Sequence, residues 1–317
     1  MSTSVTNAFV QQYSANVYVL AQQKGSRLRG TITLEEGVRG PYSFHDTVGK
    51  TTYNTVINRN GDTPLNQTPF ARRRVALVGK DWGDLVDTID KLQMLIDPTS
   101  ATALVAGYSM GRALDDTVVS AFFGTAYANS GIDGTTATSV AFPSANIVAV
   151  NDRTFQDQGN TATGNSGLTV SKLLSAKKIF GVGEVDLDQE EVTIAVDALS
   201  LASLLTATPV TSIWYNSVKP LVDGNVSQFL GINFCRTQRV VTDGLNNSLL
   251  NGSGYALLPV YCKSGIILDI GEDIKARITE RADKRYSYQV YYQMFMGATR
   301  MEEAKVVQLI CDPTKSF

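Results

Sequence analysis

Ile96-Asp97-Pro98-Thr99-Ser100-Ala101-Thr102-Ala103-Leu104, running on through Arg112-Ala113-Leu114-Asp115-Asp116 to Phe123-Gly124-Thr125-Ala126, carries the strongest helix signal in the sequence. Asp97 suits an N-cap, where its carboxylate accepts an orphan backbone N–H. Pro98 suits the first helical position, where no N–H is needed. Leu104, Tyr108, Leu114, Val118 and Phe122 then recur along one stripe. The pattern predicts one continuous helix from Pro98 to about Ala126, a rod roughly 40 Å long at ~1.5 Å per residue. Such a rod can organise a whole subunit.

Working back from Asp97, the residues Trp82, Leu85, Val86, Ile89, Leu92 and Ile96 recur at three- and four-residue steps, with Asp84, Asp87 and Asp90 opposite. This predicts a first amphipathic helix beginning after Asp81. From Thr31 to Val78 the pattern changes to short alternating segments, Thr31-Ile32-Thr33-Leu34 and Arg74-Val75-Ala76-Leu77-Val78, separated by turns such as Asn60-Gly61-Asp62. That reads as a long β-hairpin with no core of its own. Residues 1 to about 30 are polar and Gln-rich, an extended arm with too little apolar surface to fold alone.

Beyond the long helix, residues Asn129 to Gly167 are dominated by Gly, Ser, Thr, Asn and Asp, interrupted by Ile147-Val148-Ala149-Val150: a loop-rich excursion with one short strand. An amphipathic helix is expected from Thr169 to Phe180, stopped at Gly181. Val192 to Val196 reads as a buried strand, Leu199 to Leu205 as a short helix and Phe229 to Phe234 as a further strand. Strict alternation at Tyr286, Tyr288, Val290, Tyr292 and Met294, then Lys305 to Ile310, predicts paired strands near the end.

With 317 residues and 43% hydrophobic composition, the chain can bury a sizeable core in one or two interlocked domains. Nothing in it is apolar for long enough to span a bilayer, and its start lacks the pattern of a secretion signal. Ten basic against four acidic residues up to Lys80 give a net charge of plus six, leaving minus eight on the other 237 residues. Opposite charge on two parts of one chain favours attraction between copies of it. Cys235, Cys262 and Cys311 are odd in number and widely spaced, so they imply neither a disulfide framework nor a zinc site, and read as buried reduced thiols.

Gly107-Tyr108-Ser109-Met110-Gly111 fits the nucleophile-elbow pattern G-x-S-x-G, which needs a sharp strand-to-helix turn and a later histidine. The sole histidine, His45, precedes Ser109, and the helix start at Asp97-Pro98 puts Ser109 inside a helix. There is no Walker A pattern and no complete G-x-G-x-x-G. Asp115-Asp116, Glu190-Glu191 and Glu302-Glu303 read as solvated surface pairs, and Arg112 with Asp116, four apart, as an intrahelical pair. No catalytic, metal or cofactor residue is assigned.

Taken in order over most of residues 20 to 312, these segments resemble the major capsid proteins of tailed bacteriophages, which have the Hong Kong 97 type fold. Three stretches carry the resemblance: Asp84 to Gly124, similar to the family's spine helix and the segment before it; Thr169 to Leu205, with Ala176-Lys177-Lys178; and Gly224-x-Val226 followed by Phe229-Leu230-Gly231-Ile232. The resemblance implies an α+β subunit with an N-terminal arm (1–30) and an extended loop (31–80). Residues 81–167 and 276–317 would form a peripheral domain, and 168–275 an axial domain. It further implies hexamers and pentamers in an icosahedral shell around double-stranded DNA that is contacted non-specifically, assembled in the host bacterial cytoplasm, with scaffolding, portal and decoration proteins as further partners and no membrane. Arg72, Arg73 and Arg74 would then meet an acidic face of an adjacent copy, with Asp84, Asp87 and Asp90 as candidates. Some members of the family crosslink a lysine to an asparagine of a neighbour; Lys50 is a conceivable donor, but no acceptor is identifiable. An encapsulin-like compartment shell resembles the same fold and is the alternative, with a serine hydrolase third.

Overall fold

The computed structural model describes residues 22–57, 59, 61–63, 65–87, 99–128, 137–155, 164–205, 227–240 and 254–314. Its strands are β1 (Thr33–Glu36), β2 (Tyr42–Val48), β3 (Phe70–Ala76), β4 (Val78–Val86), β5 (Ala126–Ala128), β6 (Thr138–Val140), β7 (Ile147–Val148), β8 (Val192–Val196), β9 (Gln228–Phe229), β10 (Ile232–Arg236), β11 (Ala256–Cys262), β12 (Ile266–Arg281), β13 (Ser287–Arg300) and β14 (Val306–Cys311). The helices are α1 (Thr99–Phe123), α2 (Val170–Val182) and α3 (Ala198–Leu205), so the fold is α+β as expected. By internal contacts the described residues form two compact units. The smaller lies within Met1–Ser26, Gly79–Ala113 and Asp273–Met294, the larger within Arg27–Val78, Leu114–Glu272 and Phe295–Phe317.

The larger unit is built on a six-stranded sheet of order β7-β14-β11-β8-β10-β9. β8 runs antiparallel to β11 and parallel to β10, with Ile194 opposite Val260 and Phe234. Every residue of β8 is buried, which is why Val192-Thr193-Ile194-Ala195-Val196 has no polar alternation. Thr169 caps α2 by accepting from the Lys172 N–H, and Leu173, Ala176 and Phe180 form its buried stripe. The buried Lys172 ammonium donates to the carbonyls of Ser166 (2.7 Å), Gly167 (2.9 Å) and Ile310 (2.9 Å), joining the start of α2 to β14. The segment expected as one strand, Phe229 to Phe234, is the hairpin of β9 and β10, because Leu230 (φ 53°) and Gly231 (φ 75°) take left-handed backbone and reverse the chain. A second sheet, β2-β3-β5-β6, carries the expected long hairpin: β2 and β3 pair from Tyr42↔Ala76 to Val48↔Phe70.

α1 begins and ends close to the expected bounds, and Ser109 lies in its interior. Its buried stripe differs: Ala106, Met110, Leu114, Val118 and Phe122 are buried, whereas Leu104 is exposed and Tyr108 only half-buried. Positions four apart wind about 40° around the axis per step, so the buried face rotates along the helix. Ala106 and Met110 serve the smaller unit, Leu114 to Phe122 the larger. At the C-terminal end the buried Arg300 guanidinium donates to the carbonyls of Phe122 (2.8 Å) and Gly124 (2.7 Å) and lies 5.2 Å from the Phe142 ring. This meets both the orphan carbonyls and the negative end of the helix dipole.

In the smaller unit the expected helix after Asp81 is instead the strand β4, which pairs with β13 as β13 does with β12. The period of two wins over the helical one because Trp82 packs edge-to-face on Tyr292 of the neighbouring strand (6.4 Å), and a side chain at Gly83 would meet the Tyr291 ring at 3.5 Å. The rest of the expected helix, residues 88–96, lies outside the described residues, as do 1–21 of the expected arm and Asp90. Tyr292 also donates its hydroxyl to the Ala103 carbonyl (3.0 Å), fixing α1 to β13. β11 and the 16-residue β12 have no counterpart in the sequence reading.

Because Ile194 is wholly buried in the central strand, Ile194→Ala should cost about 2–5 kcal/mol in urea unfolding of unassembled subunits. Leu199→Ala, at a 58% exposed position of α3, should leave the transition within about 0.5 kcal/mol.

Candidate inter-subunit surface

In the hairpin of the larger unit, cross-strand partners share a face, so the register decides what each arginine meets. Arg72 lies opposite Asp46 and donates to its carboxylate at 2.6 Å. Arg74 stacks over the rings of Tyr42 (4.8 Å) and Tyr127 (4.9 Å). Arg73, between them, points to the other face, where it is buried and grips both carboxylate oxygens of Glu303 (2.6 and 2.5 Å) and the Met301 carbonyl (3.1 Å). The three arginines expected to act as one cluster are therefore split by the pleat. Arg73 braces its own chain, while Arg72 and Arg74 keep half-exposed positions on the opposite face. On the acidic side, Asp84 is exposed and Asp87 half-buried.

Toward its tip the hairpin carries apolar side chains outward: Tyr53 is 92% exposed, Val56 and Ile57 89%, Leu65 93% and Phe70 73%. Side-chain amides brace this part, with Asn54 donating to the Asn66 oxygen (2.6 Å) and Asn66 to the Thr52 carbonyl. Just past the end of β2, Lys50 pairs with Glu184, both well exposed. An apolar group at the end of a two-stranded ribbon loses free energy to water unless another surface covers it. The tip was missed by sequence reasoning, although Tyr53, Val56, Ile57 and Leu65 are large apolar residues within a turn-rich run.

The acidic pairs also depart from expectation, since adjacent residues face different surroundings. Asp115 is buried and accepts the backbone N–H groups of Arg27 (3.0 Å) and Leu28 (3.1 Å), whereas Asp116 receives the Arg239 guanidinium (2.7 Å). The intrahelical pairing of Arg112 with Asp116 is replaced: Arg112 donates to Gln22 (2.7 Å) and the Gln23 carbonyl (3.3 Å). Glu190 accepts from Ser264 (2.6 Å) and Lys305 (2.8 Å); burial works to raise its pKa, and these partners outweigh it and hold it low. Glu303 is the partner of Arg73 already described.

Among the described residues nothing assembles an acyl-transfer centre. Ser109 sits in mid-helix, away from any strand-to-helix turn. Burial pushes the thiols of Cys235 and Cys311 up to about 11 and that of Cys262 to about 12, so all three stay protonated at neutral pH. Among the described residues, one set of three groups comes within metal-ligand reach of one another: Glu35, His45 and Asp269.

A hairpin that exposes large apolar side chains toward its tip is the geometry of a structural protein that packs against other protein. The comparisons with known proteins give the family. The chain matches the phage capsid protein family model over residues 5–313 and belongs to that family. Among solved structures it resembles the capsid of cyanophage Pam1 (TM-score 0.71, 13% identity, covering 99% of this chain and 98% of that one). It likewise resembles the capsid of cyanophage P-SCSP1u (0.69, 13%, 98% and 95%) and that of the Helicobacter pylori bacteriophage KHP30 (0.67, 9%, 98% and 98%). No curated protein matches the sequence. The fold is thus the Hong Kong 97 type, and the protein is a tailed-phage coat protein of the virion head, not an enzyme. Neither the compartment-shell nor the hydrolase alternative gains support.

Separating the arginines gives a direct check. Arg73→Ala leaves Glu303 without its partner and should lower subunit stability by about 3 kcal/mol in urea unfolding. Arg72→Ala, which removes an exposed pair, should leave the transition where it is.

Proposed function

We propose that copies of this chain form hexamers and pentamers of an icosahedral head around packaged double-stranded DNA, with the extended hairpin reaching over adjacent subunits. The observation that carries this reading is the tip: Tyr53, Val56, Ile57 and Leu65 project from the hairpin almost fully exposed. A ribbon ordered at this entropic cost with an apolar end is explained when a neighbour covers it. Charge supports the same arrangement, because the first 80 residues are net basic and the remainder net acidic. Arg72 and Arg74 are the basic contacts of this reading, meeting Asp84, Asp87 or Asp90 of an adjacent copy, and Arg73 contributes by stiffening the hairpin base. In the same reading residues 1–30 are the arm, 31–80 the extended loop, 81–167 and 276–317 the peripheral domain and 168–275 the axial domain. DNA is met through its backbone charge without sequence preference. Assembly takes place in the bacterial cytoplasm, with scaffolding, portal and decoration proteins as partners.

The test is sedimentation with negative-stain microscopy on purified protein at rising concentration and varied salt. Closed shells, tubes or rings of six and five are expected. Exchanging Ile57 and Leu65 for Ser, or Arg72 and Arg74 for Glu, should leave folded subunits and abolish large particles. A wild type that stays monomeric under every condition, or tip variants that assemble normally, would overturn the reading.

A further inference from the structure

The sole histidine of the chain sits on β2, at the base of the hairpin, with a carboxylate at each ring nitrogen. Its Nε2 is 2.8 Å from Asp269 Oδ2 on β12, and its Nδ1 is 3.4 Å from Glu35 Oε2 on β1. β1 and β12 are themselves paired, with Glu35 opposite Asp269. Ser43 Oγ, two residues back on β2, is 3.2 Å from Nε2. Asp269 is wholly buried, and its Oδ1 has no hydrogen-bond partner. Opposite His45 on β3 stands Arg73, whose guanidinium is taken by Glu303. Asp46, the next residue on β2, adds a further negative charge and is held by Arg72.

Ionised carboxylates accept and never donate, so a ring that serves both of them carries a proton on each nitrogen. Neither neutral tautomer satisfies the arrangement. With the proton on Nε2, the Nδ1 lone pair faces Glu35; with it on Nδ1, the lone pair faces buried Asp269, whose Oδ1 has no partner among the described residues either. The ligand atoms of Glu35, His45 and Asp269 also lie within 4.8 Å of one another, so a metal ion is the competing occupant that the test below separates from a proton. The geometry points to a proton-loaded latch: an imidazolium at His45 that pins the hairpin strand β2 to both β1 and β12 and releases Glu35 when its proton leaves. The hydrogen bond to Asp269 is the largest influence raising the His45 pKa above 6.5; burial opposes it, and the charges of Asp269, Glu35 and Asp46 add to the rise. A group whose pKa is raised by folding contributes stability in full below 6.5 and loses it as pH climbs through the folded-state value. The hairpin base is therefore tightest in mildly acidic solution and loosens toward alkaline pH. The latch lies within one chain and does not depend on the head-shell reading; only its effect on assembly does.

One histidine gives a single pair of ring C–H resonances, so the full-length unassembled subunit labelled with 13C-histidine can be titrated by NMR without residue assignment. The expected midpoint lies above 6.5, and Glu35→Gln, at a half-exposed position that folding tolerates, should move it to lower pH. Thermal melting of His45→Gln should fall furthest below wild type at acidic pH, and the gap should close above the wild-type midpoint. A midpoint at or below 6.5, no response to Glu35→Gln, or a melting difference indifferent to pH would overturn the latch. So would a resonance that micromolar Zn2+ shifts at neutral pH in wild type but not in Glu35→Gln, since it would give the cluster to a metal. Should His45→Gln fail to fold, the Glu35→Gln titration decides alone. Because the protein is measured unassembled, a failed head-shell reading leaves this result intact.

Discussion

Arg300 closes the end of α1. A helix of 25 residues presents its last carbonyls unpaired, and here the buried Phe122 carbonyl and its half-buried neighbours lie beside β6 and Phe142. A guanidinium brings five donors in a fixed fork, enough to serve Phe122, Gly124 and Val140 together. The cost of burying the charge is offset by the helix dipole and the Phe142 ring face. With this end fixed, the turn into β5 is fixed, and β5 is the strand on which the hairpin is mounted through β3. The outreaching part of the subunit is thus anchored, through one short strand, to a capped helix end.

Buried charges recur as fasteners between segments distant in sequence. Asp115 ties down the backbone at Arg27 and Leu28, Lys172 gathers three carbonyls, and Arg73 ties the hairpin to Glu303. Each such fastener is worth little net when complete but is costly to leave half-made, so it specifies geometry more than it adds stability. That suits a chain whose sheets are small and whose ribbons extend beyond its cores.

Much of this was legible in the sequence where local signals were strong. Thr169 and the spacing of Leu173, Ala176 and Phe180 marked α2, the uninterrupted apolar run marked β8, and turn residues flanked the hairpin. β4 was misread because Trp82, Leu85 and Val86 fit helical spacing as well as strand spacing, and the deciding partner, Tyr292, lies some 200 residues away. β12 escaped because its exposed outer half, Asp273 to Glu280, lacks alternation and depends on pairing with β13. The role of Arg73 was hidden for a different reason: three consecutive arginines look alike in sequence, and the pleat alone sends the middle one inward. The role of His45 has no local signal, since neither Glu35 nor Asp269 is near enough in sequence to suggest that both would meet one ring.

The exposed hairpin tip has a consequence for the protein before it joins anything. A free subunit carrying Tyr53, Val56, Ile57 and Leu65 in water is a colloid with an adhesive spot, and the spot does not distinguish a correctly placed neighbour from a misplaced one. Ordered growth then depends on supersaturation. Where free subunits stay dilute, weak misplaced contacts have time to dissociate; where they accumulate, exposed apolar side chains of this kind favour amorphous association.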